Sequence, residues 1–146
     1  AFPGAGSLVR LRAALIAGEG DRAAAHVHPQ VDVRAAGDLL TRAGYAMPVA
    51  DAETLTVRYA SLFALMDDLR GMGASNILTV RPPHLTRATL ARAADHFAAA
   101  ADPDGRTSER FVILYLSGWK PDPSQAKPAR RGSATVSLAQ ALKPKD

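Results

Sequence analysis

The chain has 146 residues, a formal net charge of +4 and no cysteine. This length suits one domain with a sizeable core, and the absence of cysteine excludes disulfides and zinc–thiolate sites. No apolar run approaches the ~18 residues that a membrane-spanning helix needs, and residues 1–6 lack the features of a signal peptide. We therefore expect a cytoplasmic protein without a membrane span.

Much of the positive charge lies near the C-terminus. The basic residues there are Lys120, Lys127, Arg130, Arg131, Lys143 and Lys145. Nucleic-acid binding would require a basic stripe with interleaved aromatic residues, and this segment has only Trp119 beside it. We therefore do not expect a nucleic-acid partner. Residues 124–133 are predicted to be a solvated segment, with a partner-binding arm as the alternative.

The first residues predict a strand end followed by a helix. Residues 1–2 are typical of the end of a strand, and a glycine-rich turn leads from them to a helix over residues 8–17. Ser7 is predicted to cap this helix, and Gly18 and Gly20 to end it. Because a domain seldom begins on the last residues of a strand, we expect the chain to be the C-terminal piece of a longer protein.

Three further helices are predicted, each preceded by a polar N-cap residue. The predicted caps are Asp32, Ser61 and Thr86, before helices over residues 33–43, 62–70 and 87–101. Their expected inward faces are Ala36, Leu39, Leu40 and Ala43; then Leu62, Leu65, Met66 and Leu69; then Leu90, Ala94, Phe97 and Ala101. Gly44 is the expected C-terminal stop of the second helix.

Few segments are predicted to be strands. Residues 45–50 form a short candidate, residues 51–53 a turn, and residues 54–59 alternate as in a half-exposed strand. Residues 111–116 are six consecutive apolar residues, which predict a strand buried on both faces. Such a strand needs helices on both sides of its sheet, so the expected fold class is α/β.

Two groups of residues resemble ion sites at first sight. His26, His28 and Asp32 could supply three metal ligands, but no fourth ligand is evident and a surface loop is favoured. Asp102 and Asp104 match the start of a calcium loop, whose later ligands are missing, so a turn is favoured. His84 and His96 fit no pattern. We therefore predict no metal site.

Two other segments admit both a structural and a functional interpretation. The turn of residues 3–7 could bind an anion with its backbone N–H groups, but it lacks the third glycine of a nucleotide fingerprint, and a plain turn is favoured. Phe63, Met66 and Met72 are most simply core residues, with an apolar lid over a pocket as the alternative. From the residues alone, no self-sufficient catalytic set emerges.

Four stretches together resemble one family, the class I S-adenosylmethionine-dependent methyltransferases. They are residues 3–12 (PGAGSLVRLR), 38–45 (DLLTRAGY), 65–76 (LMDDLRGMGASN) and 118–137 (GWK through SQAKPARRGSATVS). The similarity is to the type 11 group, which includes the mitochondrial complex I assembly factor that acts on an arginine. The malonyl-carrier-protein methyltransferase of biotin synthesis is a more distant relative.

The resemblance implies the C-terminal part of a Rossmann-like sheet. Residues 1–2 would end strand five, the segment 45–59 would include strand six, and residues 111–116 would be the antiparallel strand seven. Residues 1–120 would be the C-terminal portion of the methyltransferase domain. Within them, residues 61–101 would be a helical lid, and residues 121–146 would follow as a basic tail.

The same resemblance implies the cofactor and the pocket. S-adenosylmethionine would be held mainly by an upstream glycine-rich loop that this sequence lacks, with Pro3 and Gly4 as minor contacts. Implied substrate-pocket or lid residues are Arg10, Tyr59, Met66, Arg70, Met72, Asn76 and Trp119. No catalytic residue is assigned.

Three functions remain open at this point. The first is the substrate side of a methyltransferase with a protein or small-molecule acceptor. The second is an S-adenosylmethionine-binding arginine hydroxylase that assembles a respiratory complex, with one of its subunits as partner. The third is a non-enzymatic interaction module. An exposed sheet edge also predicts pairing with a second copy.

Overall fold

A computed structural model describes residues 1–20, 25–80, 82–124 and 132–133. Within them the fold is α/β, with a three-stranded antiparallel sheet and four helices. The strands are β1 (Phe2–Pro3), β2 (Ala46–Tyr59) and β3 (Thr107–Trp119). The helices are α1 (Val9–Glu19), α2 (Val33–Arg42), α3 (Leu62–Gly71) and α4 (Arg87–Ala98).

The sheet has the order β1-β3-β2, and β3 is antiparallel to both neighbours. Phe2 lies opposite Leu114, and on the other side Leu55 lies opposite Phe111. Because both outer strands oppose β3, they run parallel to each other. The outer edge of β2 has no partner strand among the described residues, and its pairing with a second copy stays a prediction.

The predicted turn at residues 51–53 is wrong, because β2 continues through it. Asp51 lies opposite Tyr115 and Glu53 opposite Ile113, in unbroken register with β3. Ladder hydrogen bonds outweigh the turn propensity of these acidic residues, whose side chains remain exposed. Tyr115, in turn, donates its hydroxyl to Oε2 of Glu53 at 3.0 Å.

The buried strand predicted at residues 111–116 exists as the middle of β3, but it is not buried on both faces. Phe111 and Leu114 are buried, whereas Tyr115 is 43% exposed. Helices cover the two faces unequally. The apolar cluster of α1, α3 and α4 packs at Phe111, and α2 packs on the opposite face near Ala50. The part of β3 beyond them is left open.

The three predicted N-caps are confirmed by their hydrogen bonds. Asp32 accepts from the N–H of Ala35 at 2.8 Å, Ser61 from Ala64 at 3.2 Å and Thr86 from Thr89 at 3.1 Å. The C-terminal caps of α2 and α3 are each followed by a glycine with positive φ, Gly44 and Gly73. At each, the two N–H groups after the helix bond back to its last turn, which satisfies carbonyls that would otherwise lack partners.

Two predicted helix faces are right only in part: Ala36 of α2 and Phe97 of α4 are buried as expected, and the other predicted members are not fully buried. In α4 the buried residues are Thr89, Ala93 and Phe97, and the helix ends at Ala98. In α2 only Ala36 is buried. The α4 face is rotated by about one position because α1 approaches it closely at Gly18, where an added Cβ would lie 2.6 Å from the Thr89 carbonyl oxygen. Gly18 therefore lies inside α1, and of the two predicted stops it is Gly20, the C-cap residue with φ 62°, that ends the helix.

Ser7 is not the cap of α1. Its buried hydroxyl accepts from the N–H of Val112 at 2.8 Å and lies 3.2 Å from the Val112 carbonyl oxygen. The Ser7 side chain therefore takes the place of a backbone hydrogen-bond partner beside β3. The N-cap position is Leu8, which has φ 58° and makes no side-chain cap bond. Sequence alone could not anticipate this, because the competing partner is about a hundred residues away.

The cap of α1 comes instead from Glu109 in β3. Its carboxylate accepts from the N–H groups of Leu11 at 2.7 Å, Arg10 at 3.1 Å and Arg110 at 3.0 Å. Glu109 is fully buried. The first N–H groups of a helix lack intrahelical partners and carry partial positive charge, so a buried carboxylate there is stabilised by both effects.

The core is one apolar cluster between the helices and the sheet. Its buried members are Leu8, Leu11, Ala14, Leu15, Tyr59, Leu62, Leu65, Leu69, Ala93, Phe97 and Phe111. The predicted inward face of α3 is confirmed, with Met66 half-buried at its margin. None of the described helices is long and apolar enough to cross a membrane.

Replacement of Glu109 tests the cap. We expect Glu109→Ala to lower the free energy of unfolding by about 2–3 kcal/mol, because it leaves buried N–H groups without an acceptor. Glu109→Gln keeps one acceptor oxygen and should cost less. Urea denaturation measures both, with the exposed Glu53→Ala as control. Equal stabilities of Glu109→Ala and the control would contradict the cap.

Two helical glycines should respond to alanine in opposite directions. Gly18→Ala should destabilise the fold by about 1–2 kcal/mol, because overpacking against α4 outweighs the gain in helix propensity. Gly71→Ala meets no atom within 4 Å and should be neutral or stabilising by up to about 1 kcal/mol. Thermal unfolding of the two variants checks this, and stabilisation by both would refute the close contact at Gly18.

Candidate functional site

Two adjoining cavities form a groove between α1, α3 and two loop segments, residues 25–30 and 74–77. Their volumes are about 300 and 280 Å³. They share the lining residues Leu11, His26, Val27, Leu69, Ala74, Ser75 and Asn76. The first also reaches Pro3 and the second Met66 and Arg70. The groove thus begins where β1 ends and follows α3.

The two loops that form the groove are joined by side-chain hydrogen bonds. Asn76 donates through Nδ2 to the carbonyl oxygens of Ala25 at 3.1 Å and His26 at 3.2 Å. Nε2 of His28 accepts from the N–H of Ile77 at 2.9 Å. Asn76 and His28 therefore hold residues 74–77 against residues 25–28.

His26 is part of the groove wall and has its own buried partner. Its Nε2 lies 2.6 Å from Oε1 of Glu19, and the two side chains are only 11% and 8% exposed. Asp32, the third residue of the rejected metal set, caps α2. Within the described residues no group of three His, Cys, Asp or Glu side chains is placed to hold a metal ion.

A further cavity, the sheet pocket, lies on the other side of α3 from the groove. It measures about 500 Å³ and is lined by Leu55, Val57, Tyr59, Asp67, Asp68, Gly71, Met72, Phe111 and Ile113. Its floor is apolar sheet surface, of which Leu55 is 41% and Val57 37% exposed. Its carboxylates come from α3, where Asp67 pairs with Arg70 at 2.6 Å.

Tyr59 is the buried wall of the sheet pocket. Burial, followed by the hydrogen bond to Asp68 and the negative charges of Asp68 and Glu109, raises the pKa of Tyr59 to about 12. On the more exposed Tyr115, the hydrogen bond to Glu53 also raises the pKa of the phenol. The Tyr59 phenol is therefore a neutral hydrogen-bonding group at physiological pH.

The structure separates the implied pocket residues into three sets. Pro3, Met66, Arg70 and Asn76 line the groove. Tyr59 and Met72 line the sheet pocket instead. Gly4, Arg10 and Trp119 line no described cavity: Gly4 packs against Leu114, the Arg10 side chain is exposed, and Trp119 is 64% exposed at the far end of β3. Their roles stay predictions.

The glycine-rich turn uses its N–H groups within the fold. Those of Gly4 and Ala5 donate to the carbonyl oxygens of Val112 at 2.7 Å and Val31 at 2.8 Å. The first N–H groups of α1 are bound to Glu109, as described above. An anion at this turn would have to compete with these bonds. Pro3 still borders the groove.

Sequence reasoning missed two features of the site. His26, Val27 and His28 form a wall of the groove although they lie in a loop, and Glu109 fixes the helix beside it. A pair of histidines in a polar loop gives no signal for such a wall. Glu109 precedes an apolar run and has the pattern of a solvent-facing residue, so no local signal identifies it.

The raised pKa of Tyr59 predicts a loss of stability at alkaline pH. A phenol with a folded-state pKa of about 12 against 10.0 when unfolded stabilises the fold fully below pH 10. This contribution, about 2–3 kcal/mol, is lost as the pH rises from 10 to 12. Tyr59→Phe should lose less stability than the unmodified chain over this interval in urea denaturation. The exposed Tyr45→Phe is the control. Parallel curves for Tyr59→Phe and the unmodified chain would contradict the prediction.

The chain is similar to two groups of named proteins. It is 42% identical over 98% of its length to the mitochondrial arginine-hydroxylase NDUFAF5 of Danio rerio, covering 46% of that protein. It is 40% identical over 94% of its length to the human one, covering 41%. It is 35% identical over 74% of its length to the malonyl-[acyl-carrier protein] O-methyltransferase of Laribacter hongkongensis, and it covers 35% of that protein.

No protein-family profile matches the chain. No solved structure matches it. The chain spans less than half the length of the three relatives named above. The expected cytoplasmic location is wrong on this comparison, because the arginine hydroxylases that match nearly all of the chain are named as mitochondrial. The comparisons confirm the resemblance inferred from the four stretches: this is a methyltransferase-like chain, homologous along nearly all of its length to the NDUFAF5 arginine hydroxylases and over about three quarters of it to the malonyl-[acyl-carrier protein] O-methyltransferases.

Proposed function

We propose that the chain is the C-terminal, substrate-side portion of an S-adenosylmethionine-dependent methyltransferase. The sheet supports this, because an antiparallel β3 lies between two parallel strands, as expected for strands five, seven and six of the family. The groove carries the proposal. It lies at the end of β1, and ligands of open α/β sheets bind at the carboxyl ends of strands.

The cofactor would be held mainly by an upstream half of the protein. The sequence contains no glycine-rich loop after a full strand, and no carboxylate lines the described part of the groove to bind ribose hydroxyls. Pro3 would border the cofactor as a wall of the groove. When bound, S-adenosylmethionine supplies an electrophilic methyl group, and this chain's residues would position the acceptor.

The groove suits such a positioning role. Leu11, Val27 and Leu69 give it apolar walls that exclude water, and Asn76 keeps the loop over it in place. Arg70 lies at one end, with its guanidinium largely exposed and paired with Asp67. In this proposal residues 61–101 form the lid, and methyl transfer depends on orientation more than on acid–base groups.

A second candidate is arginine hydroxylation. It is favoured by one observation, the higher identity and fuller coverage of the NDUFAF5 relatives than of the O-methyltransferases. In this case the acceptor would be an arginine in a respiratory-complex subunit, and the protein would act in assembly of that complex. The fold and the cofactor site would be the same.

Calorimetry can test the proposal that the upstream half of the protein holds most of the cofactor. We expect S-adenosylmethionine to bind to the chain when it is joined to the upstream half, and to bind at least tenfold more weakly to the 146-residue chain alone. The engaged N–H groups of residues 4, 5, 10 and 11 are the physical reason. Equally tight binding to the chain alone would overturn the proposal.

The reaction can be tested with methyl-labelled cofactor and candidate acceptors. Label on the acceptor supports methylation, and an added oxygen without label supports hydroxylation. Asn76→Ala should lower acceptor turnover about tenfold and leave cofactor affinity unchanged, because it releases the loop over the groove. Leu39→Ala, on the exposed face of α2, is the matched control. A loss of cofactor affinity in Asn76→Ala would assign the groove to the cofactor.

A further inference from the structure

The sheet pocket combines an uncovered apolar floor with an acidic rim. Leu55 and Val57 are partly exposed, and Met72 is 62% exposed beside them. Asp67 and Asp68 border the pocket on α3. Alternation along β2 places Asp51 and Glu53 on the same face as Leu55 and Val57. The only cation paired with this rim in the described contacts is Arg70, on Asp67.

The charge of the chain is divided unequally between this body and its C-terminal end. Residues 1–124 contain thirteen basic and thirteen acidic residues, and residues 125–146 contain five basic and one acidic. The whole formal net charge of +4 therefore belongs to residues 125–146, which we name the basic segment. It also contains apolar residues, among them Val136 and Leu138.

The basic segment is long enough to reach the sheet pocket. From Trp119 back to Ile113 along β3 is six residues, or about 20 Å. Residues 120–133 can span up to about 45–50 Å when extended, so chain length does not prevent residues 134–138 from lying at the pocket. Gly132 and Ser133 are exposed, as a connecting stretch would be.

We propose that the basic segment docks on the sheet pocket of its own chain. Its lysines and arginines would pair with the carboxylates of the rim, and Val136 and Leu138 would cover the apolar floor at Leu55 and Val57. The charges are complementary, and the tether makes the contact intramolecular, which raises its effective concentration. This inference does not depend on the proposed function.

Because the chain has no cysteine, engineered cysteine pairs can test the contact. In the full chain, Met72→Cys at the pocket rim is combined with Ser137→Cys in the basic segment and treated with a short thiol cross-linker. The matched pair uses Ile16→Cys, an exposed position on α1. We expect the Met72 pair to cross-link within one chain at least tenfold faster than the Ile16 pair.

Charge reversal tests the proposed recognition. Asp67→Lys with Asp68→Lys should reduce cross-linking of the Met72 pair to the level of the Ile16 pair. Asp38→Lys with Asp95→Lys makes the same change in net charge on α2 and α4 and should have no effect. Arg130→Glu with Arg131→Glu should restore cross-linking to the first variant. Circular dichroism checks that each variant is folded.

If the reversed variants do not fold, salt tests the same point on the parent pair, because ~1 M salt shortens the screening length to about 3 Å. We expect the tenfold advantage of the Met72 pair to fall several-fold. Equal rates for the two cysteine pairs, or rates unaffected by both charge reversal and salt, would overturn the proposal. Cross-links between chains of different mass in a mixture would assign the pocket to a second copy and also overturn it.

Discussion

The contact on which the candidate site depends is the buried carboxylate of Glu109 against the start of α1. It joins the middle strand of the sheet to the helix that follows β1, and so fixes where Pro3, Leu8 and Leu11 lie. Removing a carboxylate from water is costly, and here three N–H groups compensate for it. The wall of the groove is therefore built from a contact between residues about a hundred positions apart.

Helix α3 is the second organising element, because its two sides border different cavities. Met66, Leu69 and Arg70 belong to the groove, whereas Asp67, Asp68 and Met72 belong to the sheet pocket. A helix places residues three and four positions apart on one side, so residues 66–70 divide in this way. Any displacement of α3 would change both cavities together. The Ser61 cap and the buried Leu62 and Leu65 hold it in place.

The sequence predicts those parts of the fold that depend on local chemistry. The caps at Asp32, Ser61 and Thr86 need only a side chain and an N–H group three residues on, and all three are present. The turn at residues 51–53, the Ser7 cap and part of the α4 face were predicted wrongly, because distant partners determine them. No window of sequence contains both members of such a pair.

The residues of the candidate site could likewise be predicted only in part. Of the residues that the resemblance implied, Pro3, Met66, Arg70 and Asn76 line the groove, because motifs name residues without stating their geometry. The resemblance did not distinguish these residues from Tyr59 and Met72, which line the sheet pocket on the other side of α3. The loop of His26 and His28 belongs to none of the four stretches. Its place in the groove wall follows only from its contacts with Asn76 and Ile77.

The groove is better suited to contact one side of a ligand than to bind a charged nucleotide by itself. A site that does the latter is called a cradle here. A cradle offers free backbone N–H groups to phosphate or carboxylate and free carboxylates to ribose. Here the N–H groups of Gly4, Ala5 and Leu11 are already bound within the fold, and the lining side chains are mostly apolar. A surface of this kind gains affinity by excluding water around a ligand held elsewhere. The proposed function requires such a surface, because the upstream half would hold the cofactor and this chain would position the acceptor.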